Sequence, residues 1–401
     1  MNRTLSTNPQ SAPAGAKLFL SLLGRIGHGH LELITPDQTR MLFGDAHNGP
    51  HATLHLHDWR ACGRILSAGD IGFAEAYAAG WVDSPDLTAL LRLALRNEQA
   101  LDRALFGGAL ARCWYTLRHW LRPNTRAGSR SNIHAHYDIG NDFYRLWLDP
   151  SWTYSSAIFD GDYAQPLQTA QQRKYQRVIN TLSLRAGQRV LEIGCGWGGF
   201  AEHAARQGIQ VHGLTISAAQ LEVARQRIAN GSLQELVQLE LRDYRDIDGE
   251  YDAVVSIEMF EAVGERYWPQ YFDTVAARLA PGGKALVQSI TIDERHFPRY
   301  RQSADFIQQY IFPGGMLPSP ERFTLGAARA GLTCTDRYAF GRDYAETLRR
   351  WRSAYHEARA LVCAQGFDQR FMRIWDLYFA YCEAAFDEGR TDVYQFLLHK
   401  R

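Results

Sequence analysis

Along the chain, apolar and polar positions fall into two rhythms, and the switches between them outline the elements. Leu31 to Ile34, Thr39 to Phe43 and Ala52 to Leu56 alternate with the two-residue period of short strands. Cys62 to Ala79 and Leu87 to Leu105 repeat at helical spacing, so residues 17–122 read as a small α+β domain. Further on the rhythms take turns. Leu167 to Leu182 predicts a helix, Arg189 to Ile193 a strand, Gly199 to Gln207 a helix, Gln210 to Leu214 a strand and Ala218 to Ala229 a helix. Val237 to Leu241 and Tyr251 to Ile257 predict strands and Tyr267 to Leu279 a helix. Pro281-Gly282-Gly283 then turns into a strand at Lys284 to Ile290. This order predicts an α/β fold with a parallel, doubly wound sheet and ligands at the carboxyl ends of its strands. Thr333 to Phe340 and Val393 to Leu398 read as late strands. Helices at Tyr344 to Ala364 and Phe371 to Phe386 form an insertion between them, where a substrate cover is expected.

Composition changes the picture only locally. The 401 residues suit two or three domains, and a net charge of +1 singles out no partner. Residues 1–16, rich in Ser, Asn, Pro and Gly, read as a disordered tail, 123–131 as a linker and 132–401 as the main domain. Six scattered cysteines without a C-x-x-C pair favour reduced thiols and a cytoplasmic protein. No signal-peptide pattern and no membrane-spanning run stands out, so a lipid substrate would be met peripherally, at the membrane's inner face. His47, His51, His55 and His57 invite a metal, but no thiolate or carboxylate cluster completes a site, and no metal is expected.

From Arg92 to Arg130 eight arginines face only Glu98 and Asp102, with Phe106, Trp114, Tyr115 and Trp120 interleaved. Such a stretch suits an anionic or zwitterionic phospholipid surface; nucleic acid competes as partner but is not expected, and a plain solvated helix with a linker is the bland alternative. A homodimer stays open.

The stretch most charged with chemistry is Val190 to Phe200, VLEIGCGWGGF. A strand ends at a glycine turn and opens a helix, whose unpaired N–H groups and dipole favour a ligand held close to the backbone. The G-x-G-x-G-G spacing lacks both G-K-[ST] and G-x-G-x-x-G, which argues against phosphate loops and dinucleotides. It fits S-adenosylmethionine, with Glu192 placed near the ligand's ammonium. Asp243, after another strand, stands at the height of an adenine N6 acceptor, unless it is only a solvated loop acid.

From about residue 130 to 401 the ordered motifs HYDIGNDFY, YSSA, VLEIGCGWGG, LTIS with Gln220, FEAVG, YIFPGGMLPS and FGRDYAETL resemble the cyclopropane fatty acid synthase family. The resemblance implies the class I S-adenosylmethionine methyltransferase fold, and a methyl delivered to a cis double bond of a phospholipid acyl chain. It also implies cofactor roles: Tyr154 and Ser155 at the amino-acid part, Gly194 and Gly196 beneath the cofactor. Thr215, Ile216 and Gln220 would lie at the ribose and adenine, with Tyr244 against the base. In this family a bound bicarbonate is thought to take the proton that closes the ring. The matching positions are Glu261, Gln288 and Tyr344, with backbone donors at Ser156 and Ile290.

Departures from the pattern qualify that chemistry. Ser156 replaces the loop Cys, Ala262 replaces a His after the acid, and Gln288 replaces a His in the fifth strand. Glu258, an added acid, is expected one helical turn from Glu261. A neutral amide and an extra carboxylate weaken anion binding. Glu258 or Glu261 then becomes the candidate to take the proton itself, from a chain carbon rather than the methyl, leaving an exomethylene or related methylated chain. Alternatively Glu258 is a strand-end acid with a local partner, or the chain is a lipid- or cofactor-binding module without turnover.

Overall fold

The computed structural model describes residues 12–102 and 139–400. The chain divides into two compact units, the first of which gathers the N-terminal residues together with Gln302–Ile311 and Arg359–Glu388. In it β1 (His30–Ile34), β2 (Arg40–Gly44), β3 (His51–Leu56) and β4 (Val82–Asp83) form a sheet of order β2-β1-β3-β4. Leu31, Leu33, Leu54 and Leu56 are buried on one face, as the alternation requires. Helix Arg60–Ala78 breaks at Gly69, where φ is 62°, rather than running unbroken. Helix Gln369–Asp387, expected as part of an insertion in the second domain, belongs to this unit instead. Thr88 donates to Glu383, and Arg92 and Arg96 both pair with Glu388 at 2.8 and 2.7 Å. Those two arginines of the basic segment are thus spoken for; Arg103 onward and the interleaved aromatics lie outside the described residues.

The second unit carries β5 (Arg189–Ile193), β6 (Gln210–Thr215), β7 (Val237–Leu241), β8 (Tyr251–Ile257), β9 (Leu279–Ile292), β10 (Leu332–Ala339) and β11 (Thr391–Lys400). Their order is β10-β11-β9-β8-β5-β6-β7, parallel except for β11, which runs antiparallel to both its neighbours. The near-continuous apolar runs of β5 and β8 follow from burial on both faces. On one side helices Leu167–Leu182, Gly199–Ala205 and Ala218–Asn230 pack Tyr175, Val178, Phe200 and Ala224 into the core. On the other, helices Trp268–Arg278 and Pro320–Arg329 supply Tyr271, Phe272 and Phe323. β9 starts earlier than predicted because Pro281-Gly282-Gly283 bulges out between two paired stretches; Tyr251 faces Leu279, but Ala253 already faces Lys284. β5 and β8 are adjacent at the sheet's centre, so their carboxyl ends bring Glu192 and Glu258 to one region.

Candidate active site

The glycine turn after β5 adopts left-handed conformations at Gly194 (φ +86°) and Gly196 (φ +51°), which L side chains avoid. At Gly194 a Cβ would come within 2.9 Å of the Met259 side chain, whereas at Gly196 it would meet no protein atom within 4 Å. Glycine at 194 is therefore required by conformation and Met259; the open side at Gly196 is the one a ligand can use. Glu192 is buried, one of its carboxylate oxygens has no hydrogen-bond partner, and burial pushes its pKa up to about 8. An orphaned carboxylate oxygen fits an incoming ammonium. Thr215 donates to Gln220 (3.1 Å), and Ser217 caps the next helix, so Thr215, Ile216 and Gln220 cluster at the end of β6. Asp243 is no solvated loop acid. Both its oxygens are held by Arg245 at 2.8 and 2.6 Å in a buried pair, and Tyr244 meets Tyr271 edge-on.

The loop 151–160 approaches from the other side. Gln171 donates to the Ser155 carbonyl (2.9 Å), and the fully buried Lys174 ammonium donates to Ser155 Oγ (2.5 Å). With its oxygen occupied as acceptor, the Ser155 hydroxyl retains a proton to donate. Helix Gly341–Glu357 clamps the same loop, since Ala157 N–H donates to Thr347 Oγ1 and Phe159 N–H to Asp343. This clamp brings Tyr344 to Ser156.

What lies between them is the Glu258 carboxylate. Its Oε1 accepts from Ser156 N–H (2.9 Å) and Gln288 Nε2 (2.7 Å), and its Oε2 from the Tyr344 hydroxyl (2.6 Å). Glu258 is not a helical neighbour of Glu261: it follows β8 with φ +49°, and its own N–H donates to the Gln288 carbonyl (2.8 Å). Nor are its partners local, for they come from three separate segments. Such a left-handed conformation in a residue with a Cβ costs about 1–3 kcal/mol and persists only where surroundings enforce it. Glu261 takes the remaining expected donor, Ile290 N–H, at 2.5 Å, while its other oxygen is buried without a partner. Burial first, and the neighbouring Glu258 second, push Glu261 up to about 8. Burial also raises Glu258, but the Lys174 charge and the three donors oppose that rise. Lys174 itself is brought down to about 7 by burial. Of the two acids, Glu258 has three donors that favour its charged form, whereas Glu261 has the single Ile290 N–H.

Aromatic rings wall the adjoining region. Tyr154 lies 5.4 Å from each of the Tyr144, Trp147 and Trp351 centroids and 6.4 Å from Phe312. Such faces exclude water and attract positive charge. Gly140 stands at the cap of helix Asn141–Arg145, and Asn141 accepts from Trp197 Nε1 and donates to the Ala219 carbonyl, tying this wall to the glycine turn.

Residues 124–396 match the family model described as mycolic acid cyclopropane synthetase. The chain belongs to that family. It is 39% identical to a tuberculostearic acid methyltransferase of Mycobacterium tuberculosis, over 96% of this chain and 92% of that protein. A cyclopropane-fatty-acyl-phospholipid synthase of Escherichia coli is 32% identical over 83% and 84% of the two chains. A solved mycolic acid cyclopropane synthase complexed with S-adenosylhomocysteine and CTAB superposes with a TM-score of 0.63 at 31% identity, covering 68% of this chain and 98% of that one. The protein is thus an S-adenosylmethionine-dependent methyltransferase of the cyclopropane synthase family with the class I fold.

The sequence pointed to Glu261, Gln288, Tyr344, Ser156 and Ile290 by their match to the family and to Glu258 as a departure from it; the structure joins Ser156, Gln288 and Tyr344 at Glu258, and Ile290 at the neighbouring Glu261. Sequence reasoning missed Lys174, Gln171, Gln395 and Arg177. A signal existed: Gln171 and Lys174 interrupt the buried face of helix Leu167–Leu182 formed by Ala170, Tyr175 and Val178. A charged residue at such a position requires a buried partner. Among the described residues no three His, Cys, Asp or Glu side chains are grouped to hold a metal, and His55 and His57 simply meet edge-on.

Proposed function

We propose that the protein methylates a cis double bond in an acyl chain of a membrane phospholipid and that Glu258, rather than a bound bicarbonate, takes the resulting proton, so that no ring forms. The observation that carries this is the Glu258 carboxylate resting on Ser156 N–H, Gln288 and Tyr344, the donors otherwise available to an anion. Bound S-adenosylmethionine supplies an electrophilic sulfonium methyl. The alkene's π pair forms the new C–CH3 bond while the S–CH3 bond breaks, leaving a cation on the adjacent chain carbon. The Tyr154 aromatic wall keeps water from that cation, and the Glu258 carboxylate opposes its charge.

Proton balance refines the expected outcome. Loss of a proton from the chain carbon bearing the methyl gives a trisubstituted alkene. An exomethylene needs a hydride to move first from that carbon to its neighbour; a methyl proton then leaves, its C–H pair becomes the new double bond, and Glu258 receives the proton. Either product is a ring-free branched chain. The relative named for tuberculostearic acid, a methyl-branched acid, supports this direction.

No helix among the described residues is long and apolar enough to cross a membrane, which is compatible with reaching the acyl chain from the bilayer surface. The test is incubation with S-adenosylmethionine and phosphatidylethanolamine or phosphatidylglycerol vesicles bearing cis-monoenes, followed by proton NMR of the chains. Vinylidene or trisubstituted olefinic protons are expected. Cyclopropane ring protons alone would refute the ring-free reading, and no lipid-dependent release of S-adenosylhomocysteine would refute the substrate class.

A further inference from the structure

Gln288 is the inner end of a chain of side chains that runs across β9 and β11 along one face of the sheet. It is paired across β9 and β11 with Gln395, and both are fully buried. Gln395 Nε2 donates to Gln288 Oε1 at 3.0 Å, and Arg177 donates to Gln395 Oε1 at 2.7 Å. Arg177 is held by Thr181 Oγ1 (3.2 Å), by Asp336 (3.8 Å) and by the Tyr338 ring, 3.9 Å from its guanidinium carbon. An amide can face either way, so two amides in series can run in two directions. A guanidinium has only donors. With Arg177 at the outer end, Gln395 must turn its oxygen outward and its NH2 inward; Gln288 must do the same, and its NH2 then points at Glu258.

We propose that Arg177 is a positioning residue for the reaction, fixing the direction of the Gln395–Gln288 chain so that Glu258 always meets a donor and stays an acceptor. The reversed chain would offer Gln288 Oε1 to Glu258 and favour its protonated form, but it would turn the Gln395 NH2 against the guanidinium. Arg177 excludes it. The inference rests on Glu258 acting as the base. The other titratable groups around Glu258 are Lys174, Glu261 and Tyr344, and none of them is part of this chain.

The test is the pH profile of methylated-lipid formation in R177K, R177L and Q395E, beside E258Q. Lysine is also a donor-only cation and keeps the wild-type acidic limb. In R177L the reversed chain becomes accessible, and the limb moves up by about one pH unit, the scale of one hydrogen bond to a charged group. Q395E imposes the reversal, since a carboxylate at that position would accept from both Arg177 and Gln288; the limb moves at least as far, with KM for S-adenosylmethionine unchanged. Wild-type limbs in both R177L and Q395E, with E258Q inactive, would overturn the inference while leaving the base intact. A wild-type rate and profile in E258Q would overturn the base itself, and the inference with it.

Discussion

Two acids three residues apart are predicted to respond oppositely to the same substitution. In Glu258→Gln the amide oxygen can keep the two bonds from Ser156 and Gln288, and its NH2 can donate to the Tyr344 oxygen, so the fold survives. What disappears is a charged proton acceptor facing the cation. General-base catalysis contributes typically 10²–10⁴-fold, so kcat for the methylated lipid should fall by about 3–5 kcal/mol in barrier terms. Glu261 stands near 8, so at pH 7 roughly nine molecules in ten carry its proton. Glutamine has nearly the shape and hydrogen-bonding pattern of that neutral acid, and its carbonyl keeps Ile290 N–H. Glu261→Gln should therefore change kcat by less than about threefold at pH 7. Transfer of labelled methyl to monoenoic phospholipid, with thermal melting as the folding control, measures both. A folded Glu258→Gln within tenfold of wild type, beside a crippled Glu261→Gln, would exchange the roles of the two acids and refute the reasoning.

Other outcomes follow from the same geometry. Glu258→Gly removes the carboxylate and relieves the left-handed backbone, so that an external anion can take its place beside Ser156, Gln288 and Tyr344; activity should be lost without bicarbonate and partly restored by millimolar bicarbonate, and absence of rescue would mean these donors are not an anion site. Glu192, raised to about 8, must ionise to meet an ammonium, so binding of S-adenosylmethionine below pH 8 should release a proton and tighten as pH rises; calorimetry in buffers of different ionisation enthalpy would show it, and proton uptake would count against it. The same raised pKa has the opposite sign for the unliganded fold, where Glu192 contributes stability at low pH that is lost as pH rises through about 8. Asp243→Ala breaks the buried pair with Arg245 and should cost about 3–5 kcal/mol in urea unfolding, whereas a loss below about 1 kcal/mol would show the pair to be dispensable.

Much of the sheet was legible because burial on both faces writes itself as apolar runs. β5, β7, β8 and the helix Leu167–Leu182 lie where the pattern puts them. The candidate acids were legible too, as departures from a familiar motif. The conformation of Glu258 was not, because a left-handed glutamate has no sequence signature; contacts from Ser156, Gln288 and Tyr344, 102, 30 and 86 residues away, hold it there. The Asp243–Arg245 pair was hidden for a different reason: an acid near a strand end looks the same whether solvated or buried, and burial is set by the surrounding packing. Helix Gln369–Asp387 shows the limit of periodicity, which predicts an amphipathic helix but not the unit its apolar face joins.

The built-in carboxylate is tested most directly by titrating bicarbonate into the wild-type enzyme in carbon-dioxide-free buffer at fixed pH. Turnover should be the same with and without the anion, because Glu258 already occupies the donors that would bind it. A rate that collapses on removing bicarbonate and returns saturably on adding it would contradict the account.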